Sequence, residues 1–96
     1  MRAVISASAR QDFREAVDHY DKGSISAGDR FAEQINATVE LIRERPMIGH
    51  LNAYGERQFK VETFPYNIVY QLEPRRILVL AIAHHKRRPG YWRTQP

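Results

Sequence analysis

The sequence contains no cysteine, a single tryptophan and no apolar run longer than the seven residues from Ile77 to Ala83. The missing cysteine excludes disulfide bonds and metal sites built on thiolates, and it fits a reducing compartment. A membrane-spanning helix needs about 20 apolar residues, so none is expected. Residues 1–10 lack the apolar stretch of a secretory leader, and we therefore expect a cytoplasmic protein. The 96 residues are enough for one domain with a small core.

Acidic residues are missing from the last thirteen positions. Residues 1–83 hold eleven basic and eleven acidic side chains, so the net charge of +4 lies entirely in segment 84–96. Its cations are Lys86, Arg87, Arg88 and Arg93, preceded by His84 and His85. Concentrated positive charge near a chain end favours a polyanionic partner, either nucleic acid or an acidic protein. A solvated basic tail that only keeps the protein in solution is the alternative.

Two amphipathic helices are predicted in the first half of the chain. Apolar residues recur there at spacings of three and four, which is typical of a helix with one buried face. Ser8 is the predicted cap of the first helix and Gly23 its end. Ser26 is the predicted cap of the second helix, which stops at Pro46. Because about three or four residues join the helices, we expect an antiparallel helical hairpin.

Four strands complete the predicted order β–α–α–β–β–β. They are Arg2–Ser6, Arg57–Phe64, Tyr66–Leu72 and Arg76–Ala83. The last strand is apolar at almost every position, which is typical of a strand buried on both faces and placed inside a sheet. The sequence therefore predicts an α+β fold, with the helical hairpin packed on one face of a small curved antiparallel sheet. The first strand lies at an edge or pairs with the last strand.

Several of these segments match a known family in their order and spacing. The matching pieces are Ser8–Ala9 followed by Asp12–Phe13, Glu44–Pro46 with Gly49 three residues on, the strand pair around Phe64–Tyr70, and the strand 77–83 running into His84–Trp92. On these residues the chain resembles the RelE/ParE superfamily of toxins from type II toxin–antitoxin modules. The resemblance covers nearly all of a single domain, 1–96, whose basic tail is 84–96. The ending is more similar to the ParE-type branch, described as plasmid stabilisation proteins.

The resemblance implies a toxin that arrests growth when it is free of its antitoxin. ParE-like members inhibit DNA gyrase, and this is the function that we favour for this chain. RelE-like members are ribosome-dependent endoribonucleases that cut mRNA without a metal, and this is the enzymatic alternative. A degenerate binding protein that has lost its toxicity is the second alternative. The fold does not choose among these functions, because one fold carries many.

The RelE-like alternative assigns chemistry to residues after the last strand. His85, Lys86, Arg87 and Tyr91 would be the catalytic residues, because RNA cleavage needs proton donors, proton acceptors and cations on the phosphate. Residues assigned to target or nucleic-acid binding are Arg57, Lys60, His84, Arg88, Trp92 and Arg93. Two features depart from the RelE pattern. The loop 47–55 contains no lysine, and Arg57 and Lys60 have opposite parity on their strand.

The expected partners are the cognate antitoxin, in a toxin–antitoxin hetero-oligomer, and a target that is either DNA gyrase or the ribosome with its mRNA. The outer groove of the helical hairpin and an unpaired sheet edge are the candidate antitoxin contacts. Tyr91 and Trp92 are expected to pin the tail onto the sheet. No cofactor or membrane is expected. A metal site is not expected either, since His50 has no second ligand at a suitable spacing.

Overall fold

A computed structural model describes residues 1–94, so Gln95 and Pro96, the end of the predicted tail, lie outside the described residues. The helices and strands are β1 (Arg2–Ile5), α1 (Ala7–Gly23), α2 (Ala27–Glu44), β2 (His50–Leu51), β3 (Arg57–Lys60), β4 (Tyr66–Leu72) and β5 (Arg76–His84). A 3₁₀ turn over Tyr91–Thr94 follows, and we call it the C-terminal turn. Within residues 1–94, no helix is both long and apolar enough to cross a membrane.

The two helices begin at caps of different kinds. Ser6 caps α1, because its Oγ accepts a hydrogen bond from the Ala9 N–H at 3.0 Å. The prediction of Ser8 as the cap was wrong, because β1 ends one residue earlier than expected and the chain turns into a helix at once. Ser26 does occupy the cap position of α2. Its Oγ accepts from the Arg30 guanidinium at 2.8 Å instead of capping the helix.

The helical hairpin packs on one side of the sheet, which we call the helix face. Phe31 of α2 is fully buried at its centre. The Phe31 ring lies 5.2 Å from Tyr20, 5.2 Å from Phe64 and 4.9 Å from Tyr66, measured between ring centroids. Aromatic pairs at these separations stabilise the fold beyond the contribution of their buried apolar area. The helix face therefore holds the main core of the protein.

The sheet has five strands in the order β1-β5-β4-β3-β2. The hairpin-linked strands are antiparallel, and β1 pairs with β5 in parallel, from Arg2 opposite Arg76 to Ile5 opposite Val79. The sheet is thus mixed rather than wholly antiparallel, because α1, α2 and three strands separate β1 from its partner. The expected pairing of the first and last strands is confirmed. Three strand ends differ from the prediction: β1 ends at Ile5, β3 at Lys60 instead of Phe64, and β5 at His84. In addition, β2 forms inside the predicted loop.

A bulge in β5 changes which side chains face the helices. Tyr70 pairs with Val79 and Val69 pairs with Ala81, so Leu80 is an extra residue in β5. Before the bulge, Val79 packs in the main core; after it, Ile82 packs there. Ala81 and Ala83 therefore point to the other side of the sheet, which we call the open face. Small side chains at these positions leave room for rings to lie against the sheet.

Candidate functional site

The C-terminal turn lies across the open face of the sheet. Tyr91 and Trp92 are buried against Val69, Ala81 and Ala83, and their ring centroids are 5.4 Å apart. The expectation that the two rings pin the tail onto the sheet is confirmed. This second layer also explains why β5 is apolar at almost every position, since it is covered on both faces.

Glu56, in the loop before β3, holds one side of the C-terminal turn. Its carboxylate accepts from the Trp92 indole N–H at 2.9 Å, from Arg93 at 2.6 and 3.1 Å, and from the Asn52 amide at 3.1 Å. Burial raises the pKa of this carboxyl, but the hydrogen bonds from Arg93, Trp92 and Asn52 outweigh it and hold the pKa of Glu56 below its ordinary value. Glu56 therefore stays ionised although its side chain is nearly enclosed.

Asp12 of α1 holds the other side. Its Oδ2 accepts from the Tyr91 hydroxyl at 2.7 Å and from the Ile82 backbone N–H at 3.0 Å. Ile82 lies beyond the end of the β1 pairing, so Asp12 satisfies a donor on an uncovered strand edge. Burial raises the pKa of Asp12, and the two hydrogen bonds with the charge of Arg87 offset only part of this. Two carboxylates from distant elements thus fasten the last described turn.

A concavity of about 500 Å³ lies beside the C-terminal turn on the open face, and we call it the basic pocket. Its polar lining residues are Gln58, Lys60, Asn67, His84, His85, Arg87 and Arg88. Tyr91 and Trp92 form one wall. A second depression of about 390 Å³ shares Lys60 with the pocket and extends to His50 of β2. The polar surface therefore crosses the sheet from β5 to β2.

The cations of the basic pocket lack acidic partners. Among residues 1–94, Lys60, Arg87 and Arg88 have no carboxylate within 4.0 Å, whereas Arg93 pairs with Glu56. The Arg87 guanidinium instead lies over the Tyr91 ring, 3.7 Å from its centroid. A ring carries no net charge, so this contact does not neutralise the guanidinium. The charge of Arg87 also acts on Asp12, so Lys60 and Arg88 are the two cations of the pocket that interact least with a carboxylate.

The two histidines have separate environments, as the alternation predicted. His84 is half-buried with its ring 5.0 Å from Tyr66, and its Nδ1 accepts from the Lys86 N–H at 3.0 Å. Burial, together with the charges of His85, Lys86 and His19, lowers the pKa of His84. His85 is exposed, and its Nε2 lies 3.2 Å from the Asn67 side-chain oxygen. Both histidines line the pocket, and His85 is the more exposed of the two.

The structure separates three of the predicted site residues from the basic pocket. Arg57 donates to the Gly49 carbonyl at 2.9 Å and to the Met47 carbonyl at 3.2 Å, so it supports the loop before β2. Arg93 is bound to Glu56, and Lys86 does not line the pocket. The expectation that Arg57 and Lys60 do not share a face is confirmed.

The Tyr91 hydroxyl does not point into the basic pocket, where a catalytic role in RNA cleavage would require it. The hydroxyl donates to Asp12, which does not line the pocket. Burial and this hydrogen bond to Asp12 raise the pKa of Tyr91 far above its ordinary value. In this arrangement the pocket offers cations, amides and one exposed histidine. Within residues 1–94 no group of three or more histidine or acidic side chains is placed to hold a metal ion.

Sequence reasoning missed the two carboxylates that hold the C-terminal turn. Asp12 lies on the apolar stripe of α1, between Ala9 and Ala16, and an acid on a buried stripe is a usable signal for a buried partner. Glu56 follows Gly55 in a short polar loop, where no local pattern distinguishes it from a solvated residue.

Residues 3–89 match the family model of the ParE toxin of the type II toxin–antitoxin system parDE. This match covers nearly all of the chain. The chain belongs to the ParE toxin family. No curated protein sequence matches it.

The fold of this ParE-family chain is also found in a solved structure described as a chromosomal ParDE toxin–antitoxin system from P. aeruginosa. The TM-score is 0.74 with 19% sequence identity, and the match covers 88% of this chain and 95% of that one. At this identity the likeness shows the shared fold. The predicted assignment to the RelE/ParE superfamily is confirmed.

Proposed function

We propose that this chain is the toxin of a type II toxin–antitoxin module and that it arrests growth by inhibiting DNA gyrase when it is free of its antitoxin. The observation that carries the proposal is the ParE toxin match over residues 3–89. The engagement of the Tyr91 hydroxyl by Asp12 supports it, because it withdraws one of the proton-transfer groups that the nuclease alternative requires.

Expression of the chain with and without its antitoxin tests the toxin role in cells. Without the antitoxin we expect growth to stop and plasmid DNA to lose negative supercoiling. With the antitoxin co-expressed, both effects should disappear. Continued growth in cells that contain soluble, folded protein would contradict the toxin role and support the non-toxic binding protein.

The RelE-like nuclease is the second candidate, because Lys60, His85 and Arg87 do line one pocket. The test is a purified translation system in which new mRNA 5′ ends are mapped by primer extension. We expect no cuts at A-site codons. Such cuts, abolished when His85, Lys86, Arg87 and Tyr91 are replaced by alanine, would replace the gyrase proposal with the nuclease.

The proposed antitoxin contact is a groove of about 520 Å³ between β1, α1 and α2. Its floor is apolar, with Ile5 and Val39 among its lining residues, and Arg10 and Arg14 stand at its rim. This combination fits an amphipathic antitoxin segment with acidic residues beside its apolar face. This groove lies between the helices and the β1 edge of the sheet, so it differs from the outer groove of the helical hairpin that the sequence suggested.

Charge reversal at the rim tests this contact. We expect R10E/R14E to weaken binding of the cognate antitoxin at least about tenfold, since opposite charges would now repel the acidic segment. The control R45E/R75E makes the same charge change at two exposed positions outside the groove. Equal affinity losses in both variants would show that net charge, not the groove, controls binding.

A further inference from the structure

The basic pocket contains more positive charge than the fold requires. Lys60, Arg87 and Arg88 come from two separate parts of the chain, β3 and the segment after β5. The two carboxylates nearest the C-terminal turn are already occupied: Glu56 by Arg93 and Trp92, Asp12 by Tyr91 and a backbone N–H. Gathering like charges in one concavity costs stability, so a ligand that neutralises them is the physical reason to place them there.

The shape of the polar surface selects the kind of anion. The basic pocket and the depression that joins it at Lys60 cross from β5 to β2, which is three strand spacings or about 14 Å. That length accommodates about three successive phosphates of one strand, since neighbouring phosphates lie farther apart along the backbone than the 3.4 Å that each nucleotide adds along the helix axis. Gln58 and Asn67 lie between the cations and can donate amide hydrogens to phosphate oxygens.

The aromatic wall argues against single-stranded nucleic acid. Single strands bind proteins by stacking unpaired bases on exposed rings. Tyr91 is 4% exposed and Trp92 9% exposed, and Arg87 already covers the Tyr91 ring. A duplex keeps its bases stacked inside itself and presents its backbone, so it fits a surface of cations, amides and the exposed His85, on which the large rings of Tyr91 and Trp92 are buried.

We infer that the basic pocket binds the phosphate backbone of duplex DNA, with Lys60, Arg87 and Arg88 as the contacting cations. The inference rests on the proposed function and deepens it: the toxin then holds the DNA on which gyrase acts as well as the enzyme. The contacting cations and amides suit phosphate oxygens, and phosphate contacts carry no sequence information, so we expect the binding to be independent of DNA sequence.

Fluorescence anisotropy with a short labelled duplex of random sequence tests the inference. Neutralising about three phosphates gives a slope near −3 for the logarithm of affinity against the logarithm of salt concentration. We expect the slope for K60Q/R88Q to fall to about −1, with weaker binding at every salt concentration. The control R45Q/R75Q removes the same charge elsewhere and should keep the slope of the unmodified protein.

Three results would overturn the inference: equal loss in both variants, binding that K60Q/R88Q does not change, or tighter binding of single-stranded RNA than of the duplex. A gyrase assay separates this inference from the proposed function. Gyrase inhibition retained in K60Q/R88Q would leave the toxin proposal standing without the DNA contact. DNA binding that depends on the pocket, without any gyrase inhibition by the unmodified protein, would support the DNA contact and contradict the proposed inhibition of gyrase.

Discussion

At the scale of single residues, two buried carboxylates respond to burial in opposite ways. Glu56 receives donors from Arg93, Trp92 and Asn52, so its pKa lies below its ordinary value. Asp12 receives fewer donors, so burial dominates and its pKa lies above its ordinary value. Both hold the same C-terminal turn. The number and charge of the donors, rather than burial alone, decide which carboxylate stabilises the folded state at neutral pH.

Glu56 gives a pH-dependent prediction. Because its folded pKa lies below the unfolded value of 4.5, its stabilisation is present above that value and is lost as the pH falls through the folded pKa. At pH 7 we expect E56Q to lower the free energy of unfolding by about 1–3 kcal/mol. Urea denaturation should show the gap between the two proteins closing in acid. A gap that stays constant with pH would contradict this assignment, since the titration of Asp12 is common to both.

Tyr70 gives a prediction about a neutral buried group. Its hydroxyl donates to the Pro46 carbonyl at 2.8 Å and accepts from the Gly49 N–H at 2.9 Å. Replacement by phenylalanine leaves both backbone groups without their partner. We expect Y70F to lower the free energy of unfolding by about 1–3 kcal/mol.

The control for Y70F is Y54F, which removes the same hydroxyl from an exposed tyrosine. We expect Y54F to change the free energy of unfolding by less than about 0.5 kcal/mol. Chemical denaturation of both variants measures the difference. Equal effects would show that the link from Tyr70 to the loop before β2 contributes nothing to stability.

At the scale of elements, the C-terminal turn is the part that shapes the site. It is short, and it is reached through Gly90, whose φ of +78° favours glycine. We expect G90A to cost about 1–2 kcal/mol, confined mostly to this turn. Trp92 is the sole tryptophan, so its fluorescence reports the turn directly.

Urea titration followed by two signals measures the effect of G90A. The midpoint from Trp92 fluorescence should fall below the midpoint from helical circular dichroism. The control G23A changes a glycine at the end of α1, where an added Cβ meets no atom within 4 Å, and it should leave the two midpoints together. Coincident midpoints in G90A would show that the turn unfolds only with the whole protein.

The elements differ in how far sequence patterns could predict them. β4 was predicted with both of its boundaries, and both helices were predicted, because alternation and three–four spacing extend over several residues there. The cap of α1 was wrong, whereas the cap position of α2 was right. β2 has only two residues, too few for any period. The bulge at Leu80 also has no local signature, since β5 is apolar on both sides of it and the register of β4 decides which residue is extra.

The candidate site could also be predicted only in part from the sequence. The charge asymmetry identified the segment after β5, because charge counts need no structure. Which cations converge depends on strand pairing, and this places Lys60 in the basic pocket and Arg57 beside Gly49. Glu56 and Asp12 contact the turn from residues that are far away in sequence, so only the fold brings them there.

At the scale of the whole molecule, the two faces of the sheet carry different surfaces, to which we assign separate roles. The helix face contains the main core and borders the apolar groove that we assign to the antitoxin. The open face contains the C-terminal turn and the basic pocket that we assign to the target. An antitoxin bound in the groove would not touch the basic pocket. We therefore expect it to neutralise the toxin either by steric exclusion of the target or through α1. This helix carries both Arg14 of the groove and Asp12, which binds Tyr91.

The central claim is that this ParE-family chain inhibits DNA gyrase. A supercoiling assay with purified gyrase, relaxed plasmid and increasing amounts of the folded chain tests it most directly. We expect supercoiling to fall in proportion to the toxin added and to recover when the cognate antitoxin is added first. Full supercoiling at a molar excess of protein that arrests growth in cells would contradict the claim.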